Sequence, residues 1–357
     1  MVLLGSTGSI GCATLDVAAR FNLPIETLIA GFNAERLNEQ IGRFKPRRVA
    51  VADRQSAEKI DFPNVKYGEE AILEAIEESE SELVVNALVG FAGLRPTLKA
   101  LQSGKRLALA NKESLVCAGA FIDANKIRPI DSEHFGAWYL NPSRAIKRII
   151  LTASGGALRD LPIAKIENAP IERVLRHPNW SMGAKITIDS ATMVNKLFEL
   201  LEARWLFDTT QIDAAVERSS FFHALIEFAD GCMTAQASPT DMRLAIAYAI
   251  LGELNDPIAG EIDLFSLPPI RFEPIETARY PVWALKGTLL STPELGVVLN
   301  AANEAALKRY RSKEISFGAI SRVILAAFDR FNAPPKTIDE ALALHAEVYE
   351  RAITQKP

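Results

Sequence analysis

An α/β fold is predicted for this chain: an N-terminal doubly wound parallel sheet, a central α+β domain and a C-terminal helical bundle. Three features predict it. Short apolar runs alternate with amphipathic stretches up to Ile130, the alternation becomes irregular beyond that residue, and the chain from about Leu295 is patterned almost wholly as helix. Near-continuous apolar strands separated by helices require a sheet covered on both faces, which is the parallel, doubly wound arrangement.

The elements follow in order. Val2-Leu3-Leu4 reads as a short strand and a helix runs from about Ile10 to Arg20. Ile25 to Ala30 reads as a second strand, Ala34 to Arg43 as a second helix, and Val49 to Val51, Leu83 to Val85 and Leu107 to Leu109 as further strands. Past Ile130 the β runs are Arg148 to Ala153, Lys185 to Ile188 and Ser220 to Phe228, with one long helix from about Ala191 to Leu206. Prolines crowd between Pro257 and Pro293, as in an extended linker. The helical remainder has one break, at Asn332 to Pro335. These changes place domain boundaries at 1–130, 131–256, 257–294 (the linker) and 295–357.

Bulk properties agree and exclude several classes. A chain of 357 residues exceeds one ordinary core. A net charge of −4 speaks against a nucleic-acid surface, so an anionic ligand would need locally placed Lys, Ser and N–H groups. Cys12, Cys117 and Cys232 are distant and odd in number, which supports neither a disulfide framework nor a zinc site and suits a reducing compartment, the cytoplasm. Met1 leads almost directly into a glycine-rich loop, so no signal peptide is expected. The most apolar stretch, Val84 to Leu94, is too short to span a bilayer.

Gly5-Ser6-Thr7-Gly8-Ser9-Ile10-Gly11 lies between a strand and a helix. Glycines there let the backbone approach a pyrophosphate while the helix start adds partial positive charge, so the segment reads as a Rossmann-like dinucleotide loop. An NAD site usually has an acid at the end of the second strand; here that strand ends Gly31-Phe32-Asn33, which disfavours NAD. Phe32 supplies no cation for a 2′-phosphate, and the direction of nearby Arg36 is not legible.

Asp131-Ser132-Glu133 follows a strand-like run. If the segment stays extended its two acids share a side and would need a cation between them; such hard oxygen ligands suit Mg²⁺ or Mn²⁺. The other reading is a helix start with acids in its first turn. Beyond Asp189 and Ser190, which can cap the long helix, Asn195 and Glu199 share a face and Lys196 lies one turn from Glu199 on an otherwise apolar helix. That patch is either a functional cluster or a surface Lys–Glu pair. Ser154-Gly155-Gly156 is either a phosphate cradle or a β-turn. His177-Pro178-Asn179-Trp180-Ser181-Met182-Gly183 cannot continue a helix; it is either a closing flap or packed on the core.

Together these segments resemble the 1-deoxy-D-xylulose 5-phosphate reductoisomerase family over essentially the whole chain. The resemblance is carried by the glycine loop, Ala108 to Val116, Asp131 to His134, Ser154 to Gly156, the run from His177 through Lys196, Glu202 to Phe207 and Leu299 to Glu304. It implies an enzyme that rearranges and reduces its phosphosugar with NADPH and Mn²⁺ or Mg²⁺, and a homodimer. It implies that Asp131, Glu133 and Glu199 hold the metal, that Ser154, Ser190, Asn195 and Lys196 bind the phosphate end, and that Lys112 and Ser132 lie near the reacting carbons. Lys112, Asp131, Glu133, His177 and Glu199 would be catalytic; Glu133, His177 and Glu199 would also contact substrate, and Trp180 and Met182 would cover it. Thr7, Gly8, Ser9, Ile10, Gly31, Asn33, Asn111, Glu113 and Gly183 would contact NADPH. Two departures stand out: Phe32, where many relatives are basic, and Glu217-Arg218-Ser219-Ser220, to which no function is assigned.

Overall fold

The computed structural model describes residues 1–140 and 144–354, arranged as two compact units. The first comprises Met1–Ser114, Asp123–Asp131 and Asp241–Gly260; the second comprises Leu115–Ile122, Ser132–Thr240 and the described chain from Glu261 onward.

Chain order begins β1 (Val2–Leu4), α1 (Ser9–Arg20), β2 (Thr27–Ala30), α2 (Ala34–Phe44), β3 (Arg48–Val51), α3 (Arg54–Ala57) and β4 (Lys66–Tyr67). It continues with α4 (Glu69–Glu77), β5 (Leu83–Asn86), α5 (Leu94–Gln102), β6 (Arg106–Leu109), α6 (Lys112–Ala118) and β7 (Ile127–Pro129). The seven strands form one parallel sheet in the order β4-β3-β2-β1-β5-β6-β7. β1 and β2 are buried along their whole length, as apolar runs covered on both faces must be. Beside β1 the order of connection reverses, which puts the ligand-binding crevice of such sheets at the carboxyl ends of β1 and β5.

Next come α7 (Ser132–Tyr139), β8 (Ile146–Ala153), α8 (Ile171–Val174), α9 (Ala184–Thr192), α10 (Val194–Leu206), β9 (Ile212–Glu217), β10 (Phe222–Phe228), β11 (Met233–Ala237) and α11 (Met242–Leu251). The chain ends with β12 (Phe272–Glu273), α12 (Lys286–Ser291), α13 (Gly296–Arg311), α14 (Phe317–Arg330) and α15 (Ile338–Thr354). The second sheet runs β11-β10-β8-β9-β12; only β8 and β9 are parallel. The helical end is as expected, with α13 against both α14 and α15.

Several local expectations are corrected. Lys185 to Ile188 is helical, not a strand: its alternating Ile and Thr mimic β patterning, but the segment lies within α9 with Thr187 and Ile188 buried. The single helix expected from Ala191 is two, broken at Met193, whose φ of 70° is left-handed. Asp189 and Ser190 therefore sit in the last turn of α9 and cap nothing; Asp189 instead accepts from Lys185 (2.9 Å) and from Asn303 (2.8 Å). The segment at Asp131 does not stay extended, because α7 begins at Ser132.

The domain boundaries also fall elsewhere. Residues 241–260 belong with the first unit, where Ile246 and Ile250 of α11 join a core with Leu3, Leu15, Val17 and Leu28. The proline-rich stretch is more than a linker: β12 pairs with β9, Tyr280 is buried with its hydroxyl donating to Gly155 O at 2.8 Å, and Val282 and Leu289 are buried. The last three residues of the expected 295–357 domain, and 141–143 of the 131–256 domain, lie outside the described residues.

Candidate active site

The glycine loop turns directly from β1 into α1. Gly5 has a φ of +77°, and a Cβ on it would lie 2.5 Å from Ala87 O. A Cβ on Gly11 would lie 2.2 Å from Gly5 O, so loop and helix touch as only glycines allow. The Gly5 and Ser6 amides donate to Ile29 O at 2.8 and 3.0 Å, pinning the loop to β2. Gly8 begins α1 with no side-chain cap, which leaves first-turn amides at Ser9 and Ile10 for solvent or an anion. Thr7, Gly8, Ser9, Ile10, Gly31 and Asn33 thus gather past the carboxyl ends of β1 and β2. A Cβ on Gly31 would meet nothing within 4 Å, and Asn33 caps α2 by accepting from Arg36 N at 3.1 Å. This cradle fits a dinucleotide.

Asn111 and Glu113 lie past β6 and are buried. Asn111 Nδ2 lies 2.9 Å from each of Leu88 O, Gly90 O and Glu113 Oε2, and its two N–H groups, shared among them, help to hold the loop after β5. Gly183 belongs to the second unit, where it is the N-cap of α9.

Asp131, Glu133 and Glu199 each offer a carboxylate oxygen within 4.8 Å of the others. The helix-start reading of Asp131-Ser132-Glu133 is locally correct, and the carboxylates converge all the same. Asp131 is one peptide bond ahead of α7, Glu133 lies in its first turn, and α10 brings Glu199 alongside. Glu199 and Asp131 are buried and Glu133 is partly so. Three such charges repel unless cations intervene. Lys196 supplies one, bonded to Glu133 Oε1 at 3.0 Å, paired with Glu199 and donating to Thr152 O; Lys112 pairs with Asp131. Asn195 donates to Glu199 and Ser132 donates to Glu133. Three carboxylates that each offer an oxygen to one point form an all-oxygen donor set that fits a hard divalent cation.

A supporting layer was missed by sequence reasoning. His134 Nε2 lies 3.3 Å from Glu202 Oε2, both buried, tying α7 to α10 beside Glu133 and Glu199. The spacing of Glu199 and Glu202, one helical turn apart, was the available signal.

Ser154 directly follows β8, and its Oγ lies 2.8 Å from His177 Nε2. His177 Nδ1 accepts from the amides of Asn179 (3.2 Å) and Trp180 (3.0 Å), which fixes the neutral tautomer with its proton on Nε2, donating to Ser154. Gly156 has a φ of +69°, and a Cβ there would lie 2.7 Å from Ser190 O, so the Ser154 loop rests on the turn that carries Ser190. The expected flap is held down: Asn179 Nδ2 donates to Arg218 O and Ser220 Oγ at 2.7 Å, and Trp180 meets His223 edge-on with ring centroids 6.2 Å apart. Trp180 and Met182 are half-buried and Ser181 and Gly183 exposed. The Glu217 to Ser220 turn thereby acquires an anchoring role.

Burial, aided by the charge of Arg159, lowers the His177 pKa to about 4. Because that value lies below the ordinary one of about 6.5, the unfolded chain takes up a proton first as pH falls. His177 stabilisation is therefore full at neutral pH and lost between about 6.5 and 4. Nitrogen-15 NMR should show an Nε2–H imidazole at pH 7 with a midpoint near 4. A midpoint near 6.5 would contradict this placement.

Of the predicted residues, the carboxylates of Asp131, Glu133 and Glu199 converge, Lys112 pairs with Asp131, Ser132, Asn195 and Lys196 bond to Glu133 or Glu199, and Ser154 meets His177 beside the Ser190 turn. Three family models match the chain: 1-deoxy-D-xylulose 5-phosphate reductoisomerase over residues 1–119, the C-terminal domain of the same enzyme over 127–207, and the DXP reductoisomerase C-terminal domain over 237–351. The chain is 57% identical to the 1-deoxy-D-xylulose 5-phosphate reductoisomerase of Nautilia profundicola, with 98% of each covered. It is 51% identical to that of Wolinella succinogenes, with 99% of each covered. Among solved structures it resembles a DOX-P reductoisomerase in complex with NADPH, fosmidomycin and magnesium, at TM-score 0.92 and 31% identity over 98% of this chain and 96% of that one. It also resembles the Zymomonas mobilis enzyme in complex with NADPH, at TM-score 0.87 and 32% identity over 98% and 97%.

Proposed function

The chain belongs to the 1-deoxy-D-xylulose 5-phosphate reductoisomerase family, and from that premise we propose the roles of its residues in converting 1-deoxy-D-xylulose 5-phosphate to 2-C-methyl-D-erythritol 4-phosphate. The reaction is a rearrangement followed by reduction, and serves the methylerythritol phosphate route to isoprenoid precursors. The single observation that carries the residue assignment is the convergence of Asp131, Glu133 and Glu199. When bound, a divalent cation supplies Lewis acidity toward the substrate oxygens and NADPH supplies hydride.

The protein holds and surrounds these groups. Asp131, Glu133 and Glu199 hold the cation, Mg²⁺ or Mn²⁺. Lys112 and Lys196 offset the carboxylate charge and are placed to meet an anionic substrate; Ser154, Ser190 and Asn195 bind its phosphate end, and Ser132 and Lys112 serve the reacting carbons. His177, neutral at physiological pH, acts as a hydrogen-bond donor through Nε2 and orients Ser154 instead of delivering a proton. Trp180 and Met182 exclude water. Thr7, Gly8, Ser9, Ile10, Gly31, Asn33, Asn111, Glu113 and Gly183 receive NADPH. Residues 1–130 serve as the dinucleotide domain extended by 241–260, 131–240 as the catalytic domain and 295–357 as the helical domain. The enzyme works as a cytoplasmic homodimer. Supporting this, the three cysteines are free, no described helix is long and apolar enough to cross a membrane, and Leu264 and Phe265 present apolar surface for a second copy.

The test is NADPH oxidation with 1-deoxy-D-xylulose 5-phosphate and Mg²⁺. Turnover should vanish with a chelator and return on adding metal. Turnover indifferent to chelation would contradict the cation's role.

A further inference from the structure

The dinucleotide reading leaves a gap in charge: at the end of β2, where a 2′-phosphate on the adenosine ribose would be recognised, this chain has the apolar Phe32, 74% exposed. The structure supplies a cation from one turn further on. Arg36 lies in the first turn of α2, and its Nη1 reaches back to Thr7 O of the glycine loop at 3.3 Å, with Cys12 Sγ at 3.9 Å. The Arg36 backbone amide is bound by Asn33 Oδ1 at 3.1 Å, which sets the first turn of α2 and hence the origin of the side chain.

Three surface arginines of this unit are matched by acids: Arg47 by Glu80, Arg54 by Glu58, Arg95 by Glu69 and Glu70; Arg20, Arg43 and Arg106 share with Arg36 the lack of an acid partner among the described residues, but Arg36 alone of these four reaches the glycine loop. Among the described residues no carboxylate pairs with Arg36; its observed partners are a carbonyl and a thiol, and neither cancels its charge. The guanidinium is exposed, so its remaining N–H groups are available to a ligand. Gly31, directly after β2, leaves open space where a side chain would stand.

The geometry points to Arg36 as the residue that reads the 2′-phosphate of NADPH in this chain, replacing a cation at position 32 and making the site selective for the phosphorylated dinucleotide. The assignment rests on the dinucleotide reading above. A phosphate and a guanidinium match in charge and fork geometry, whereas an unphosphorylated ribose gives Arg36 nothing comparable.

The test uses the full chain and two small probes that differ only by the 2′-phosphate, adenosine 2′,5′-bisphosphate and 5′-AMP, titrated calorimetrically. The native protein should bind the bisphosphate about 10- to 100-fold more tightly than 5′-AMP. Arg36→Ala should remove most of that difference while 5′-AMP affinity stays within about twofold, and Arg36→Lys should restore part of it. Equal loss for both probes would make Arg36 a strap for the glycine loop and overturn the assignment. So would a bisphosphate affinity unchanged in Arg36→Ala, or native protein that binds both probes equally, and either result leaves the family reading intact. A native chain that binds neither the bisphosphate nor NADPH would bring down the dinucleotide reading and this assignment together.

Discussion

Replacing Glu199 by Gln is expected to lower metal-dependent turnover by about 100- to 1000-fold while NADPH affinity stays within about twofold. The substitution is nearly isosteric, and Glu199 is 1% exposed, so packing is conserved. Asn195 can still donate to the remaining oxygen. What changes is charge: the cluster loses one of its three carboxylates, and with it much of its attraction for a divalent cation. Dinucleotide contacts are assigned to other residues, so loss of NADPH affinity, or retained turnover, would return Glu199 to a structural role. Single-turnover kinetics and a fluorescence titration separate the two.

Lys196→Met should produce the largest change in stability. Lys196 is 3% exposed and serves Glu133, Glu199 and Thr152 O together. Methionine fills similar volume without the ammonium, so buried carboxylates are left facing one another. Removing one partner of a buried ionic group costs about 3–5 kcal/mol, which for a chain of this size lowers the midpoint by roughly 4–7 °C. Because the lysine does part of a cation's work when no metal is bound, Mg²⁺ should raise the melting temperature of the variant by more than it raises that of the native protein. Calorimetry with and without Mg²⁺ reads both effects. Equal Mg²⁺ responses would mean that Lys196 and the cation do not address the same carboxylates.

The sheet of the first unit was legible because buried parallel strands write themselves as apolar runs, and because Gly5, Gly8 and Gly11 mark a turn that tolerates no side chain. Other elements carried no local mark. Met193 takes a left-handed conformation with neither Gly nor Asn to announce it, so two helices read as one. The Lys185 to Ile188 segment has β-branched residues in alternation, and only its packing makes it helical. α11 follows Ser132–Thr240 of the second unit in sequence yet is buried with Leu3 and Leu15; its apolar residues reveal burial but not in which unit. Prolines between Pro257 and Pro293 signal extended chain and say nothing of the pairing of β12 with β9.

At the site, residue types were legible and their meeting was not. Asp131 and Glu133 look like ordinary first-turn acids, and only the approach of α10 makes them part of a three-carboxylate cluster. The assignment of Glu199 to that set came through family resemblance, since no periodicity links it to Asp131. The lysines' partnership with the carboxylates, the His134–Glu202 contact and the reach of Arg36 to Thr7 are tertiary facts, invisible to any window of sequence.

The most direct test is a crystal grown with Mn²⁺ and examined at an energy where manganese scatters anomalously. A single strong peak about 2.1–2.3 Å from one oxygen of each of Asp131, Glu133 and Glu199 is the predicted result. A peak bound by other residues, or none at saturating Mn²⁺, would contradict the account.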